Sequence, residues 1–305
     1  MTQHHSQPNS QRRDAITITP RKVAFDWQDV PMHFIPDEPF ASQGINALHI
    51  LLPAGENWFC KVYAEAIPYL EDAPGLKEDA IAFMRQEAMH SRAHQSVQAY
   101  FAHNGIETRP LTAVIEKQMN RQLGDKVFGL FTPRSERMKR WWLTERLGII
   151  AAIEHFTCVL SVWLFEEAKL KDAGGDPTML DLFHWHCAEE IEHRNVAFDI
   201  AMHMAGGSHW ARWRGMIGTI PMFYILIRRC HKALRKQDPY FRSAPRVRFL
   251  KEWKKAEEKG LLPGFVWTLS TTRRWFSKKY DPNIEADTQT ALDYFERSPV
   301  LARMG

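Results

Sequence analysis

The sequence predicts an all-α protein: a four-helix bundle with one long crossover, extended at its C-terminal end by further helices. Three observations carry this. Alternating Val/Ile/Thr of the strand type is confined to short N-terminal stretches such as AITITP (15–20). From about Phe40 onward, apolar residues recur with helical spacing and are interrupted by Pro, Gly and Asn at well-separated points. Those interruptions form two short turns and one long connection, which is the connectivity of two antiparallel helix pairs joined by a crossover.

The elements follow in order. A first helix over 42–69 ends before the turn Asp72-Ala73-Pro74-Gly75. A second starts at that turn and runs to His103, where Asn104-Gly105 provides a C-terminal stop. The connection over 104–132 carries a short helix of its own at 112–122. Thr132-Pro133 is an N-cap followed by Pro at the first helical position, so a third helix runs from there to Ala173 and the Gly174-Gly175 break. Asp176-Pro177 repeats that start, and a fourth helix reaches Ala205 before Gly206-Gly207. The domain reading is an irregular arm over 1–40, the bundle over 41–206, and a basic, aromatic-rich helical extension over 207–305 packed on it.

Composition narrows the function classes. The chain has 305 residues, 45% apolar and 25% charged, enough to bury a real core and too apolar for disorder. A net charge of only +4 excludes a protein that is basic throughout. The charge is nonetheless uneven: 206–305 holds 20 Lys/Arg against 9 Asp/Glu, and 1–205 holds 20 against 27. Cys60, Cys158, Cys187 and Cys230 lie far apart with no Cys-x-x-Cys, which argues against a disulfide scaffold or a thiolate zinc site. The N-terminal stretch lacks an apolar core of signal-peptide length, and no uncharged apolar run is long enough to span a bilayer. The expected compartment is a reducing cytoplasm.

Two Glu-x-x-His motifs occur, Glu87–His90 and Glu190–His193. On a helix, residues three apart share a face, so each pair can aim a carboxylate and an imidazole at one ion. With 21 Glu and 14 His in the chain, roughly one such motif arises by accident, so the motifs alone prove little. Their placement says more. They fall in the second and fourth helices, and the partner helices carry Glu56 in LLPAGENWF and Glu154 in GIIAAIEHFTCVL. Both carboxylates interrupt apolar stretches, where an unpaired charge is costly. Counting helical rise from the turns gives heights of roughly 25 and 20 Å for one pair and roughly 30 and 20 Å for the other, so each pair could meet at mid-bundle. Four carboxylates and two imidazoles in this order match the di-iron or di-manganese arrangement of ferritin-like bundles, and oxygen-rich ligation suits iron or manganese. The competing reading is a coincidence of surface Glu–His pairs, which does not account for Glu154.

The strings LLPAGENWF, FMRQEAMHSRAH, AIEHFTCVL and CAEEIEHRNVAFD resemble a bacterial family described as predicted metal-dependent hydrolases, over roughly residues 20–280. The resemblance implies a ferritin-like ligand pattern with Glu56, Glu87, His90, Glu154, Glu190 and His193 holding two metal ions. Behind them, Glu189 is expected to accept from His90 and Gln86 from His193, because a ligating imidazole usually donates its other N–H. His94 and His186 are possible extra ligands. Glu189 competes with Glu190 for the ligand position, since both lie one turn from His193. Cys60, Cys158 and Cys187 read as pocket lining, and His155, about 100° around the helix from Glu154, reads as structural.

Three functions are compatible with such a centre. The favoured one is dioxygen-dependent oxidation of a small apolar or lipid-like substrate, supported by an electron donor. The alternatives are metal-dependent hydrolysis of an ester or phosphoryl group and non-catalytic iron binding. The extension adds a partner question. Its uncharged centre, 215–227, is too short to span a membrane and is flanked by Trp210, Arg212, Trp213, Arg214, Arg228, Arg229 and Lys232. Over 210–236 this suits a helix lying on an anionic membrane surface at the inner face, or a fifth helix covering the bundle. Nucleic acid is the least favoured partner, because no binding motif accompanies the charge.

Overall fold

A computed structural model describes residues 18–243 and 248–303; the sequence readings on the first 17 residues lie outside them. The described residues are helical without a β-strand, apart from an isolated bridge between Val127 and Phe131. The helices are α1 (Pro39–Asn46), α2 (Leu48–Ala66), α3 (Pro74–His103), α4 (Arg109–Leu123), α5 (Glu136–Glu166), α6 (Pro177–Met204) and α7 (Trp210–Gln237). Then follow α8 (Pro239–Ser243), α9 (Phe249–Glu258), α10 (Phe265–Trp275), α11 (Thr288–Arg297) and α12 (Pro299–Ala302).

Local chemistry sets the ends of the bundle helices. Pro74 opens α3, and Gly105, with φ of +80°, takes the left-handed conformation that stops it. Asp176 caps α6 by accepting from the backbone N–H groups of Thr178 and Met179, with Pro177 at the first helical position. Two expectations are corrected. The first helix is interrupted at Ala47 and ends at Ala66, with a short 3-10 turn over Ile67–Tyr69. The third starts at Glu136, because Ser135 rather than Thr132 provides the cap, accepting from Met138 N–H, and it stops at Glu166 rather than Ala173.

Helices α2 and α3 form one antiparallel pair, α5 and α6 the other, and the pairs meet through α3 with α6 and α2 with α5. The crossover runs through α4, which lies along α2. The indole N–H of Trp58 on Leu123 O (3.0 Å) and of Trp142 on Gly124 O (2.7 Å) pins its end to both pairs. Helix α5 is long and apolar enough to cross a membrane, but it is mostly buried among α6, α7 and α2.

The extension closes on the bundle. Helix α7 runs against α5 where two glycines face each other: a Cβ on Gly215 would lie 2.3 Å from the Gly148 carbonyl oxygen, and one on Gly148 2.6 Å from that of Ala211. The backbones therefore approach in a way no larger residue permits. The opposite side of α7 exposes Trp210, Ile217 and Ile225. Buried Arg212 donates to the carbonyls of Trp275 and Ser277 and lies against the rings of Phe198, Trp275 and Tyr280. Helix α11 packs on α6, with Tyr294 donating to Asp181.

Candidate metal centre

The six residues singled out by spacing meet in the middle of the bundle, and all are buried. Ligating atoms of Glu87, His90, Glu190 and His193 all lie within 4.8 Å of one another. Glu154 joins them, with an oxygen 3.3 Å from His193 Nδ1. Glu56 also lines the small cavity around the carboxylates of Glu87, Glu154 and Glu190, but its nearest imidazole is His94, with Oε1 3.9 Å from His94 Nε2. A second group of possible ligands is thus Glu56, His94 and His186.

Both imidazoles present one nitrogen to the centre and the other to a partner behind it. His90 turns Nδ1 toward Glu87 (3.8 Å) and Glu190 (3.5 Å), while Nε2 bonds Glu189 at 3.0 Å. His193 turns Nδ1 toward Glu87 (3.1 Å) and Glu154, while Nε2 bonds the Gln86 side-chain oxygen at 2.9 Å. Of the two adjacent acids on α6, Glu190 therefore faces the centre and Glu189 stands behind it. His155 turns away from the centre and bonds Tyr280 at 2.8 Å.

The fit to metal rests on what these groups lack. Both carboxylate oxygens of Glu56, Glu87 and Glu154, and Nδ1 of His90 and His193, are buried without a hydrogen-bond partner. Buried polar atoms are normally satisfied, and so many orphans aimed at one point call for a cation. Electrostatics agrees. Burial drives the carboxyls of Glu56 and Glu154 well above the ordinary range, aided by Glu87 at Glu56 and by Glu190 at Glu154. Burial would also raise Glu87 and Glu190, but the imidazoles of His193 and His90 beside Glu87, and of His186 and His193 beside Glu190, keep both low. His90 resists burial through Glu189 and Glu87 and is pushed up to about 10; His193 likewise stands well above its usual value. In the absence of metal, protons hold the charge balance that two divalent ions would supply, so metal uptake releases them. Oxygen-rich ligation with one imidazole per ion suits iron or manganese.

Sequence reasoning missed several residues around this centre. Glu190 leads into a buried line of imidazoles: Glu190 to His186 Nε2 (2.9 Å), His186 to His94 (2.8 Å), and His94 to His49 (2.7 Å). Burial is the main cause that holds His94 and His186 low and brings His49 down to about 3. Of these imidazoles only His49 gave no sequence signal, since it lies on α2 two residues before the string LLPAGENWF. Thr157 bonds Glu190 Oε2 from one turn beyond Glu154. Arg21 in the N-terminal arm pairs with Glu189 (3.1 Å) and Glu192 (2.8 Å), and Glu192 also accepts from Gln86 at 2.8 Å. Cys187 lines a neighbouring apolar cavity, where burial pushes its thiol up to about 12.

No curated protein and no solved structure shows a significant match to the chain. A family model does, covering residues 19–286, nearly all of the helical body and every residue of the centre. By that match the chain belongs to the family described as predicted metal-dependent hydrolase.

Proposed function

We propose that the protein is a two-metal enzyme that oxidises an apolar substrate with dioxygen. The observation that carries this reading is the lining of the small cavity at the four carboxylates. The rest is apolar, with Leu51, Phe59, Ile153, Met222, Phe223 and Leu226 among it, and the hydroxyl of Thr157 is already committed to Glu190. Among the described residues lining it, the only polar side chains are the carboxylates and Thr157, so the space beside the centre suits hydrocarbon rather than a polar substrate. Glu56, Glu87, His90, Glu154, Glu190 and His193 would hold the metal pair, which supplies dioxygen activation when bound, with electrons from the substrate or a separate donor. The carboxylates offset charge as the oxidation state changes, Glu189 and Gln86 fix the two imidazoles, and the hydrocarbon wall excludes water.

Hydrolysis is the second reading, favoured by the description of the family. The same donors would then hold metals that polarise the scissile group and lower the pKa of a bound water.

The test is oxygen use. Protein loaded with ferrous iron without air should take up dioxygen on aeration and develop near-ultraviolet absorption. Turnover that persists without oxygen, with zinc or manganese in place of iron, overturns oxidation in favour of hydrolysis. Replacing Glu154 by Ala should halve or abolish bound metal; unchanged stoichiometry overturns the centre itself.

A further inference from the structure

A cavity of about 350 Å³ separates the bundle from the extension. It is lined almost wholly by hydrocarbon from α5, α6, α7, α9 and α10, including Phe156, Leu160, Ile220, Ile227 and Phe265. Its size falls in the range of small-molecule sites. One of its lining rings, Phe223, also lines the cavity that holds Glu56, Glu87, Glu154 and Glu190. Another, Phe249, is shared with an open cleft whose lining includes Arg228, Lys232, Arg235, Lys236, Arg248 and Lys251. Among the described residues no carboxylate lines that cleft, and none of these six cations forms an ion pair. Arg228 and Arg235 lie instead over the rings of Phe249 (6.0 Å) and Phe241 (5.0 Å).

A carboxylate centre, a hydrocarbon bore and a cationic mouth thus follow one another. A neutral hydrocarbon would leave the mouth without a counter-charge, and a compact anion would find nothing polar in the bore. From this order we propose that the protein binds a single-chain amphiphile with a phosphate-bearing head. The chain enters tail first along the bore, and the head stays at the mouth between α7 and α9. That the tail thereby meets the reacting end rests on the two-metal reading; the binding itself does not. The orientation sets the head far from the metals, so the site acts on the hydrocarbon tail.

The experiment is calorimetric titration of the full chain, metal-free and metal-loaded, with monomeric dodecyl phosphate, dodecanol and inorganic phosphate. Dodecyl phosphate should bind with one-to-one stoichiometry and about tenfold or more tighter than dodecanol, because several half-solvated ion pairs act together. Inorganic phosphate alone should bind far more weakly than either. The double variant Lys232→Glu with Arg235→Glu should erase the advantage of the phosphate while leaving dodecanol unchanged. Leu160→Trp should weaken both alkyl probes without altering the helical circular dichroism. Equal affinities for the two alkyl probes, or charge reversal without effect, overturns the proposal. So does sedimentation with phosphatidylglycerol vesicles in the absence of one-to-one binding, which would make the cleft a membrane contact. Normal amphiphile binding by a protein that takes up no metal when ferrous iron or manganese is offered would overturn the two-metal reading alone.

Discussion

The imidazole of His90 is fixed from behind by Glu189: Nε2 lies 3.0 Å from a carboxylate oxygen, and this leaves Nδ1 to face Glu87 and Glu190. The acid thus sets which nitrogen is free and how the ring is turned. Glu189→Ala should lower metal affinity about 10- to 100-fold, and Glu189→Gln, which keeps an acceptor, should lower it less. Competition against a chromophoric chelator measures both. Equal affinities for wild type and the Ala variant would remove Glu189 from this role.

Arg21 ties the N-terminal arm to α6 through Glu189 and Glu192, and its guanidinium lies 3.4 Å over the ring of Phe295. Removing it leaves two buried carboxylates short of a cation. Because Arg21 is partly solvated, Arg21→Met should cost about 1–3 kcal/mol of stability rather than the full penalty of a deeply buried pair. Adding Glu192→Gln should recover part of that loss in denaturant titrations.

His231 on α7 is fully buried, and burial, reinforced by Arg235, brings it down to about 3. It is therefore neutral in the fold and bonds the carbonyl of Phe40. Between its ordinary value near 6.5 and 3 the unfolded chain binds a proton that the fold does not, so stability falls as pH falls through that window and is flat above it. Each such histidine contributes a slope of about 1.4 kcal/mol per pH unit. His231→Asn should remove one slope's worth between pH values of about 6 and 4, as read by denaturation of the metal-free protein. An unaltered slope would refute the assignment.

The glycine pair between α5 and α7 makes a sharp contrast with a nearby control. A Cβ at Gly215 would collide with the backbone of Gly148, whereas one at Gly218 meets nothing within 4 Å. Gly215→Ala should cost about 1–3 kcal/mol. Gly218→Ala should be neutral or stabilise slightly, since alanine is the better helix former. Thermal denaturation of the two variants checks the difference, and similar shifts in both would show that the close approach does not constrain stability.

Much of the helical architecture was legible because helix boundaries are local events. Asp176-Pro177 and Asn104-Gly105 announce their ends in a few residues. Thr132-Pro133 announced a start that Ser135 took instead, because a Pro after a cap residue also suits an extended connection. At the centre, helical period and an apolar setting were enough to single out residues that the structure brings together. His90 and Glu189 are 99 positions apart, yet both lay in recognisable strings. Arg21, 168 positions from Glu189, had no such string, and its pairing exists only through the path of the arm. His49 was silent for a similar reason: one imidazole on an apolar helix carries no period, and only the packing of α2 on α3 places it beside His94.

The contact between Gly148 and Gly215 has a mechanical consequence. Glu154 lies less than two turns beyond Gly148 on the same rod, and Phe223 lies about two turns beyond Gly215 on the other. Two rods locked main chain to main chain do not swing apart as a hinged cover would. The wall of the bore and one carboxylate of the centre therefore travel together, and admission of a guest falls to rotating rings such as Phe249 and Phe223. Under the proposed binding mode, rotation of side chains rather than movement of these helices would admit the tail.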